Sequence, residues 1–276
     1  MAVFEGRYEK RSPVLRKALG QHHLVDRKLC RPAVEFLQPM ESPVLEIGSG
    51  GGVLTHALVD AGARVVGLDL DLAWLAAGRR RLKRSGMGQV RWLASDALEF
   101  DWRRLPADWS VAGNLPYNVA TPMIRSILEN GHSQRMVFLV QKEVAQRMIS
   151  AVNSKNYGLL SLVVEWWAEA SVLSTVKPGS FNPPPRVDSQ FVGLLRRAET
   201  TTVTEYRRVM RVASLAFRHR RKTLPNALRQ EFKAEQVVNW AIRSHLSPKI
   251  RPQELTLKDY RSLASTLIGE PISPTE

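Results

Sequence analysis

The sequence predicts an α/β fold followed by a small all-helical module, and three observations support this. Short apolar runs alternate with amphipathic segments as far as Arg197. This alternation is typical of βαβ units, which build a parallel sheet covered by helices on both faces. A glycine-rich stretch follows the first apolar run, where such a unit turns from strand to helix. Beyond Arg197 only helical patterns remain.

The apolar runs are the predicted strands, and the segments between them are the predicted helices. Strands are expected at residues 43–47, 64–68, 90–93, 109–112, 135–140, 157–167 and 191–195. Helices are expected at residues 32–39, 72–83 and 142–149, and in two segments that end near residues 61 and 129. The C-terminal module should contain helices at 206–217, 223–230, 234–244 and 257–267. We therefore expect two domains, residues 1–197, which include a basic N-terminal segment over 1–30, and residues 198–276.

The charge balance indicates a polyanionic partner. The chain has 40 Lys and Arg against 26 Asp and Glu, a net charge of +14. Residues 196–276 hold 16 of the basic residues and 8 of the acidic ones. Each Lys or Arg that meets a phosphate releases counterions, so this excess favours nucleic acid as the partner.

Composition also excludes several classes of protein. The one cysteine, Cys30, excludes a disulfide framework, and the six histidines show no metal-ligand spacing, so we expect no metal. No apolar stretch is long enough for a membrane span, and the N-terminus lacks the apolar core of a signal peptide. We therefore expect a cytoplasmic protein that does not bind membranes.

An ordered series of residues after the first three predicted strands indicates a nucleotide cofactor. Glu46, Gly48 and Gly50 lie where the first strand turns into a helix. Asp69 ends the second strand, 21 residues after Gly48, where a carboxylate can accept hydrogen bonds from both ribose hydroxyls. Asp96 follows the third strand and is placed to accept from an adenine amino group. If the glycines are considered without Asp69 and Asp96, the alternative is that they form only a tight turn that binds no ligand.

Two features favour S-adenosyl-L-methionine over NAD as this cofactor. The dinucleotide-binding pattern needs a third glycine, and Val53 stands in its place. Glu46 would repel a pyrophosphate, but it suits a cofactor that carries an ammonium and a sulfonium. An NAD-dependent dehydrogenase is therefore the weaker alternative.

The segment Asn114-Leu115-Pro116-Tyr117, after the fourth predicted strand, indicates methylation of an adenine N6. This amine is a poor nucleophile because its lone pair is delocalised into the ring. Two acceptors, the Asn114 side-chain oxygen and the Leu115 carbonyl, would hold its hydrogens and aim the lone pair at the methyl group. Pro116 stiffens the turn, and Tyr117 offers a face on which an extruded base stacks. A proline turn with a core tyrosine is the alternative.

Two later segments are further candidates. Phe181 precedes a proline run, and we expect it at the pocket mouth as a second aromatic contact of the base, with a plain linker as the alternative. A basic run over residues 218–222 is expected on a helix. Its side chains either bind the RNA backbone or are only solvated. The residues expected to contact RNA there are Arg218, Arg220, Arg221 and Lys222.

The chain resembles the KsgA-type ribosomal RNA adenine dimethyltransferases over nearly its whole length. The resemblance rests on residues 20–26, 46–52, 69–71, 95–97, 113–117, 141–145, 157–158, 181–189 and 217–228. It implies a Rossmann-like, class I S-adenosylmethionine-dependent methyltransferase sheet with a small C-terminal all-helical domain that binds rRNA. It also implies dimethylation of two adjacent adenosines in a hairpin loop near the 3′ end of small-subunit rRNA, in the assembling small ribosomal subunit. We expect a monomer.

The resemblance also assigns site residues. The catalytic site would be Asn114 to Tyr117 with Phe181. The chain departs from the family at His22, where asparagine is common, at His23, where an aromatic residue is common, and at Asp69, where glutamate is usual. Proline is usual at the position of Ser49. The implied cofactor contacts are His22, Leu24, Gly48, Asp69, Asp96 and Asn114.

Two other functions remain open at this point. One is that of the related antibiotic-resistance methyltransferases, which modify an adenine of large-subunit rRNA. Leucine rather than isoleucine at position 115 and the segment 217–228 argue against it. The other is a non-catalytic RNA-binding assembly factor, and the intact segment 114–117 and the glycines argue against that.

Overall fold

A seven-stranded sheet carries the fold, and a two-stranded sheet and ten α-helices accompany it within the residues that the computed structural model describes, 22–84, 90–198 and 202–269. The strands are β1 His23–Leu24, β2 Val44–Ile47, β3 Val65–Asp69, β4 Arg91–Ala94, β5 Ser110–Asn114, β6 Arg135–Gln141, β7 Ala168–Val176, β8 Phe181–Asn182 and β9 Ser189–Arg196. The helices are α1 Arg31–Leu37, α2 Val53–Asp60, α3 Leu72–Arg84, α4 Ala120–Asn130, α5 Lys142–Met148, α6 Leu159–Trp167, α7 Val203–Phe217, α8 Leu224–Leu228, α9 Ala234–Arg243 and α10 Leu257–Ile268.

The large sheet has the strand order β4-β3-β2-β5-β6-β9-β7. The first five strands in this order are parallel, as the alternation of strands and helices predicts. Strands β2, β3, β5 and β6 are buried along most of their length, because helices cover both faces of a parallel sheet. The α/β class is confirmed, and β9 and β7 extend the sheet as antiparallel strands.

The prediction of a strand over residues 157–167 is wrong, because most of this segment forms α6. The helix contacts α4, α5, α7 and β7, and seven of its nine residues are buried. A helix that is apolar all round shows no helical period, and its sequence resembles a buried strand. The hydroxyl of Ser161 accepts a hydrogen bond from the Gly158 main-chain N–H at 3.1 Å, which caps the first turn.

The strand β7 begins where the predicted strand was expected to end. Most of its residues are exposed or half-buried, as an edge strand allows, and Glu, Ser and Thr interrupt its apolar residues. It therefore lacks the continuous apolar run by which the other strands are recognised. The pair β1–β8 was also not predicted, because its strands have only two residues each.

The helices after β9 pack against the sheet-bearing part of the chain through aromatic side chains. The Tyr206 ring of α7 contacts Trp166 and Trp167 of α6, with ring centroids 5.4 and 5.1 Å apart. One buried apolar cluster extends from the sheet through α6 into α7 and α10. No helix in the described ranges is long and apolar enough to cross a membrane.

The expectation that residues 218–222 lie on a helix is wrong. Helix α7 ends at Phe217 and α8 begins at Leu224, and the basic run forms the turn between them. Pro225 lies in the first turn of α8, where its missing N–H costs nothing, but it could not continue α7. The side chains of Phe217 and Leu224 still point into the core, as predicted.

Candidate active site

Four predicted site residues meet at the carboxyl edge of the parallel strands. Gly48 follows β2, Asp69 ends β3, Asp96 follows β4 and Asn114 ends β5. The first three line one cavity of about 190 Å³, which Pro116 borders as well. The strand order reverses between β2 and β5, and open α/β sheets bind their ligands in the crevice at such a reversal.

A second, smaller cavity of about 20 Å³ shares Gly48 with the first. His23, Glu46 and Asn114 line it. A space of this volume holds about one water-sized group. The two cavities together give an elongated ligand a wide compartment beside β3 and β4 and a narrow one beside the glycine-rich turn.

Glu46 is a buried carboxyl without a complete set of partners. It is 2% exposed, and among the described residues its Oε2 has no hydrogen-bond partner. Burial raises the pKa of Glu46 to about 8, and repulsion from Asp69 adds to the shift. A buried carboxyl with a bare oxygen is costly. The small cavity therefore suits a cationic group, which would let Glu46 ionise.

Asp69 binds the glycine-rich turn. Its Oδ2 accepts a hydrogen bond from the Gly50 main-chain N–H, and its Oδ1 accepts one from the Asp71 N–H, each at 2.9 Å. Burial raises the pKa of Asp69, and the two N–H donors oppose this shift. Each carboxylate oxygen retains a further lone pair, so Asp69 can hold the turn and also accept from a ligand hydroxyl.

Asp96, which also lines the larger cavity, is held in a similar way. Its Oδ1 accepts a hydrogen bond from the Leu98 main-chain N–H at 2.8 Å. The side chain is half-buried and lines the same cavity as Asp69. Its second carboxylate oxygen is the acceptor that an amino group in this cavity would reach.

Asn114 lies at the end of β5 with its amide oriented by a main-chain contact. Its Nδ2 donates a hydrogen bond to the carbonyl oxygen of His22 at 2.8 Å, which leaves Oδ1 as the acceptor of the amide. The backbone beside it is crowded. A Cβ on Gly113 would lie 2.9 Å from the Ile47 carbonyl oxygen, so β2 and β5 can approach this closely only with glycine there.

Tyr117 is held at two points. Its hydroxyl lies 2.6 Å from the Ser189 hydroxyl, and its ring stacks on the His22 ring, with centroids 5.0 Å apart and an angle of 26° between the planes. Burial raises the pKa of Tyr117, so its hydroxyl stays protonated at neutral pH. The ring is therefore a neutral stacking surface of fixed orientation.

His23 covers the glycine-rich turn. Its ring lies tilted against that of Trp74, with centroids 4.1 Å apart and 30° between the planes, and a Cβ on Gly50 would lie 3.0 Å from it. Burial and the Arg81 cation lower the pKa of His23 to about 4, so the ring is neutral at neutral pH. The sequence identified this position only as a departure from the family, and its contacts with Trp74 were not predicted.

Phe181 and Leu24 lie together through the strand pair β1–β8, in which Leu24 pairs with Phe181. Phe181 is 4% exposed and packs in a buried apolar cluster that also contains Leu24 and Cys30. Gly20 and Gln21, which belong with Leu24 to the segment 20–26, lie outside the described residues. The structure thus brings Leu24 and Phe181 together, with Phe181 in the core of this region.

The basic run divides into exposed and engaged residues. Arg218, Arg221 and Lys222 are exposed in the turn between α7 and α8. The Arg220 guanidinium instead donates hydrogen bonds to the carbonyl oxygens of Lys155 and Ser154, at 2.7 and 2.9 Å. Arg220 therefore joins the turn to the loop before α6, and the other three residues form the charged surface.

Ser189 was not predicted as a site residue, although its hydroxyl fixes Tyr117. It lies at the start of β9, 72 residues after Tyr117, and a serine in a strand gives no signal by itself. Strand β9 pairs with β6, and Ser189 lies opposite Gln141 at the same sheet edge as Asn114. Only the antiparallel return of β9 places this hydroxyl near the tyrosine.

Comparisons with known proteins place the chain in one family. A family model described as "Ribosomal RNA adenine dimethylase" matches residues 14–268. The protein named ribosomal RNA small subunit methyltransferase A from Coxiella burnetii (strain CbuG_Q212) is 33% identical over 258 residues, which are 92% of this chain and 98% of that protein. Its namesake from Rubrobacter xylanophilus is 38% identical over 255 residues, 92% and 95% of the two chains.

A solved structure shows the same fold. The crystal structure of a dimethyladenosine transferase from Plasmodium falciparum superposes with a TM-score of 0.72 at 24% identity, covering 88% of this chain and 96% of that one. The family match extends over both the sheet and the helical module. The chain therefore belongs to the ribosomal RNA adenine dimethylase family.

Proposed function

We propose that this protein transfers methyl groups from S-adenosyl-L-methionine to the N6 atoms of two adjacent adenosines, in a hairpin loop near the 3′ end of small-subunit rRNA. The relatives named for the small subunit, at 33% and 38% identity over nearly the whole chain, support this substrate. The observation that carries the proposal is Asn114, whose amide is oriented by its bond to His22 at the end of β5. The substrate would be rRNA within the assembling small subunit, and the enzyme a cytoplasmic monomer.

The cavities fit S-adenosyl-L-methionine. The bare, buried Oε2 of Glu46 suits the ammonium of the methionine part, and Gly48 leaves room for it beside the turn. Asp69 would accept from the ribose hydroxyls and Asp96 from the adenine amino group, because both line the larger cavity. Gly50 supports this arrangement through its bond to Asp69. When bound, the cofactor supplies an electrophilic methyl group on a sulfonium.

The chain's own residues would act by positioning. The Asn114 Oδ1 and the Leu115 carbonyl would accept the two N6 hydrogens, which favours a tetrahedral nitrogen whose lone pair points at the methyl group. Pro116 stiffens this turn, and Tyr117 offers the stacking face for the extruded base. A strong base is not required, since the amine becomes acidic once it is methylated and loses its proton to water. Holding the two reactants in this geometry would supply most of the rate gain.

The helical domain, residues 198–276, would hold the rRNA. Arg218, Arg221 and Lys222 form its exposed charged turn, and contacts to phosphates position a substrate without reading its sequence. Arg220 would act indirectly, because its guanidinium holds the loop at Ser154 and Lys155. Phe181 is the remaining candidate contact of the base, and it would have to become accessible from its buried position.

A competition experiment tests the choice of substrate. The protein is incubated with labelled S-adenosyl-L-methionine and an equimolar mixture of immature small and large ribosomal subunits, which are then separated. We expect the label in small-subunit rRNA. Label in large-subunit rRNA would favour the antibiotic-resistance activity, and RNA binding without any transfer would favour a non-catalytic assembly factor.

A further inference from the structure

The residue His22 contacts both loops of the candidate target-base site. Its ring stacks on Tyr117 with centroids 5.0 Å apart. Its Nδ1 lies 2.8 Å from the Pro183 carbonyl oxygen, so the proton on this nitrogen is donated to the proline run. Its main-chain carbonyl accepts the bond from Asn114 at 2.8 Å. One residue before β1 thus joins the segment 114–117 to the segment after β8.

The stack determines which face of Tyr117 is open. A separation of 5.0 Å and an angle of 26° lie within the range of offset aromatic stacking. The Tyr117 hydroxyl is bound to Ser189 at the same time, so the ring cannot turn without breaking one contact. An extruded base that stacks on Tyr117 while the His22 contact persists must use the opposite face.

We propose that His22 is a positioning residue for methyl transfer, which backs one face of Tyr117 so that the target adenine stacks on the other. This inference rests on the proposed function. It gives the His22 side chain a task different from the cofactor contact that the family resemblance implies, because its ring and its Nδ1 are engaged by Tyr117 and Pro183. Cofactor binding near His22 would then depend on its main chain and on neighbouring residues.

Under this proposal, the aromatic ring of His22 should contribute more to the methylation rate than its hydrogen bond to Pro183 does. A phenyl ring at position 22 can back Tyr117 but cannot donate to Pro183. An asparagine can donate a hydrogen bond but offers no stacking face. The variants His22→Phe, His22→Asn and His22→Ala therefore separate the stack from the hydrogen bond. His132→Ala is the matched control, since this exposed histidine precedes β6 at the opposite edge of the sheet.

The test measures two quantities for each variant: the single-turnover rate of adenine methylation at saturating S-adenosyl-L-methionine and RNA, and the dissociation constant of S-adenosylhomocysteine by calorimetry. We expect His22→Ala to lower the rate about tenfold or more, as a small misplacement of reacting groups does. The dissociation constant should not change. His22→Phe should restore most of the rate, His22→Asn should not, and His132→Ala should match the parent.

The outcomes distinguish this inference from the proposed function. If the parent protein transfers no methyl group to adenine, the proposed function fails and the inference fails with it. If the parent is active and His22→Ala weakens S-adenosylhomocysteine binding while keeping the parent's saturated rate, the residue is a cofactor ligand and the inference alone is wrong. Rescue by asparagine instead of phenylalanine would also overturn it. Loss of folding in His22→Ala would leave the Phe and Asn pair to decide.

Discussion

The side-chain nitrogen Nδ2 of Asn114 lies 2.8 Å from the main-chain oxygen of His22. This contact orients the amide, because the nitrogen faces the carbonyl and the oxygen is turned the other way. The acceptor proposed for the N6 amine therefore has its direction set before the substrate arrives. An active site that is organised in advance does not have to spend binding energy on arranging its own groups.

Replacing Asn114 should affect chemistry more than binding. Asn114→Ala removes the proposed acceptor, and we expect the single-turnover methylation rate at saturating cofactor to fall roughly hundredfold. RNA affinity, measured by filter binding, should stay near that of the parent. Asn114→Asp keeps the shape but faces a carboxylate oxygen toward the His22 carbonyl, so it should also be impaired. A near-parental rate for Asn114→Ala would exclude the positioning mechanism.

Asp69 should contribute to cofactor affinity. Asp69→Ala removes an acceptor from the larger cavity and also frees the main-chain N–H groups of Gly50 and Asp71. We expect S-adenosyl-L-methionine binding to weaken by roughly 1–3 kcal/mol, the cost of leaving polar partners unpaired. Calorimetry on the parent and on Asp69→Asn, which preserves the shape of the side chain, provides the comparison. Unchanged affinity in both variants would remove Asp69 from the site.

Glu46 should make the stability of the ligand-free protein depend on pH. Burial raises its pKa to about 8 from an ordinary value of 4.5, so between these values the folded state holds a proton that the unfolded state has lost. The contribution of Glu46 to stability is therefore present below pH 4.5 and is lost as the pH rises to about 8. Glu46→Gln should remove this loss.

Denaturant unfolding of the parent and of Glu46→Gln, between pH 5 and pH 9, measures this difference. The free energy of unfolding of the variant should rise relative to that of the parent as the pH rises. If this free energy changed with pH equally in both proteins, Glu46 would not be protonated in the folded state. Binding of a cationic cofactor should also release a proton from Glu46 near neutral pH. Calorimetry in buffers of different ionisation enthalpy detects such a release.

The exposed charges of the turn between α7 and α8 should bind RNA backbone. Replacing Arg218, Arg221 and Lys222 together by Gln should weaken RNA binding and flatten its salt dependence by about 0.7–0.9 log unit per lost contact. Cofactor affinity should not change. The control is a second triple replacement by Gln, which removes equal charge from exposed positions at or near α9 and α10: Lys233, Arg243 and Lys258.

A clear result requires the two triple variants to differ. If the turn variant kept the parent's RNA affinity and salt slope, the turn would not be the RNA contact. Equal losses in both variants would mean that net charge, rather than this turn, determines binding. A single variant, Arg220→Gln, should instead lower the melting temperature, because Arg220 bonds to the loop carbonyls of Ser154 and Lys155.

The sheet and the edge that carries the site could be predicted from the sequence because the signals there are local. Each of Gly48, Asp69, Asp96 and Asn114 lies at or directly after an apolar run, and parallel strands place their carboxyl ends at one edge. Helix α6 was missed for the opposite reason. Burial on nearly every side removes the polar face by which an amphipathic helix is recognised.

The contacts within the site could not be predicted, because they join residues far apart in the chain. Ser189 reaches Tyr117 only because β9 returns antiparallel beside β6. His22 reaches Pro183 across 161 positions, through the pairing of β1 with β8. Two-residue strands carry no periodic signal, so this pairing and the stack that depends on it appear only in three dimensions.

Mass spectrometry of rRNA fragments tests the proposed dimethylation of two adjacent adenosines. Immature small subunits are incubated with the parent protein and S-adenosyl-L-methionine, and the 3′ region of their rRNA is isolated, digested and sequenced by fragment mass. We expect N6,N6-dimethyladenosine at two adjacent positions of one hairpin loop, and far less of it after the same incubation time when Asn114→Ala replaces the parent. Adenosines that stay unmodified after incubation with the parent protein would contradict the proposed function. Methyl groups on another base or on ribose would contradict it as well.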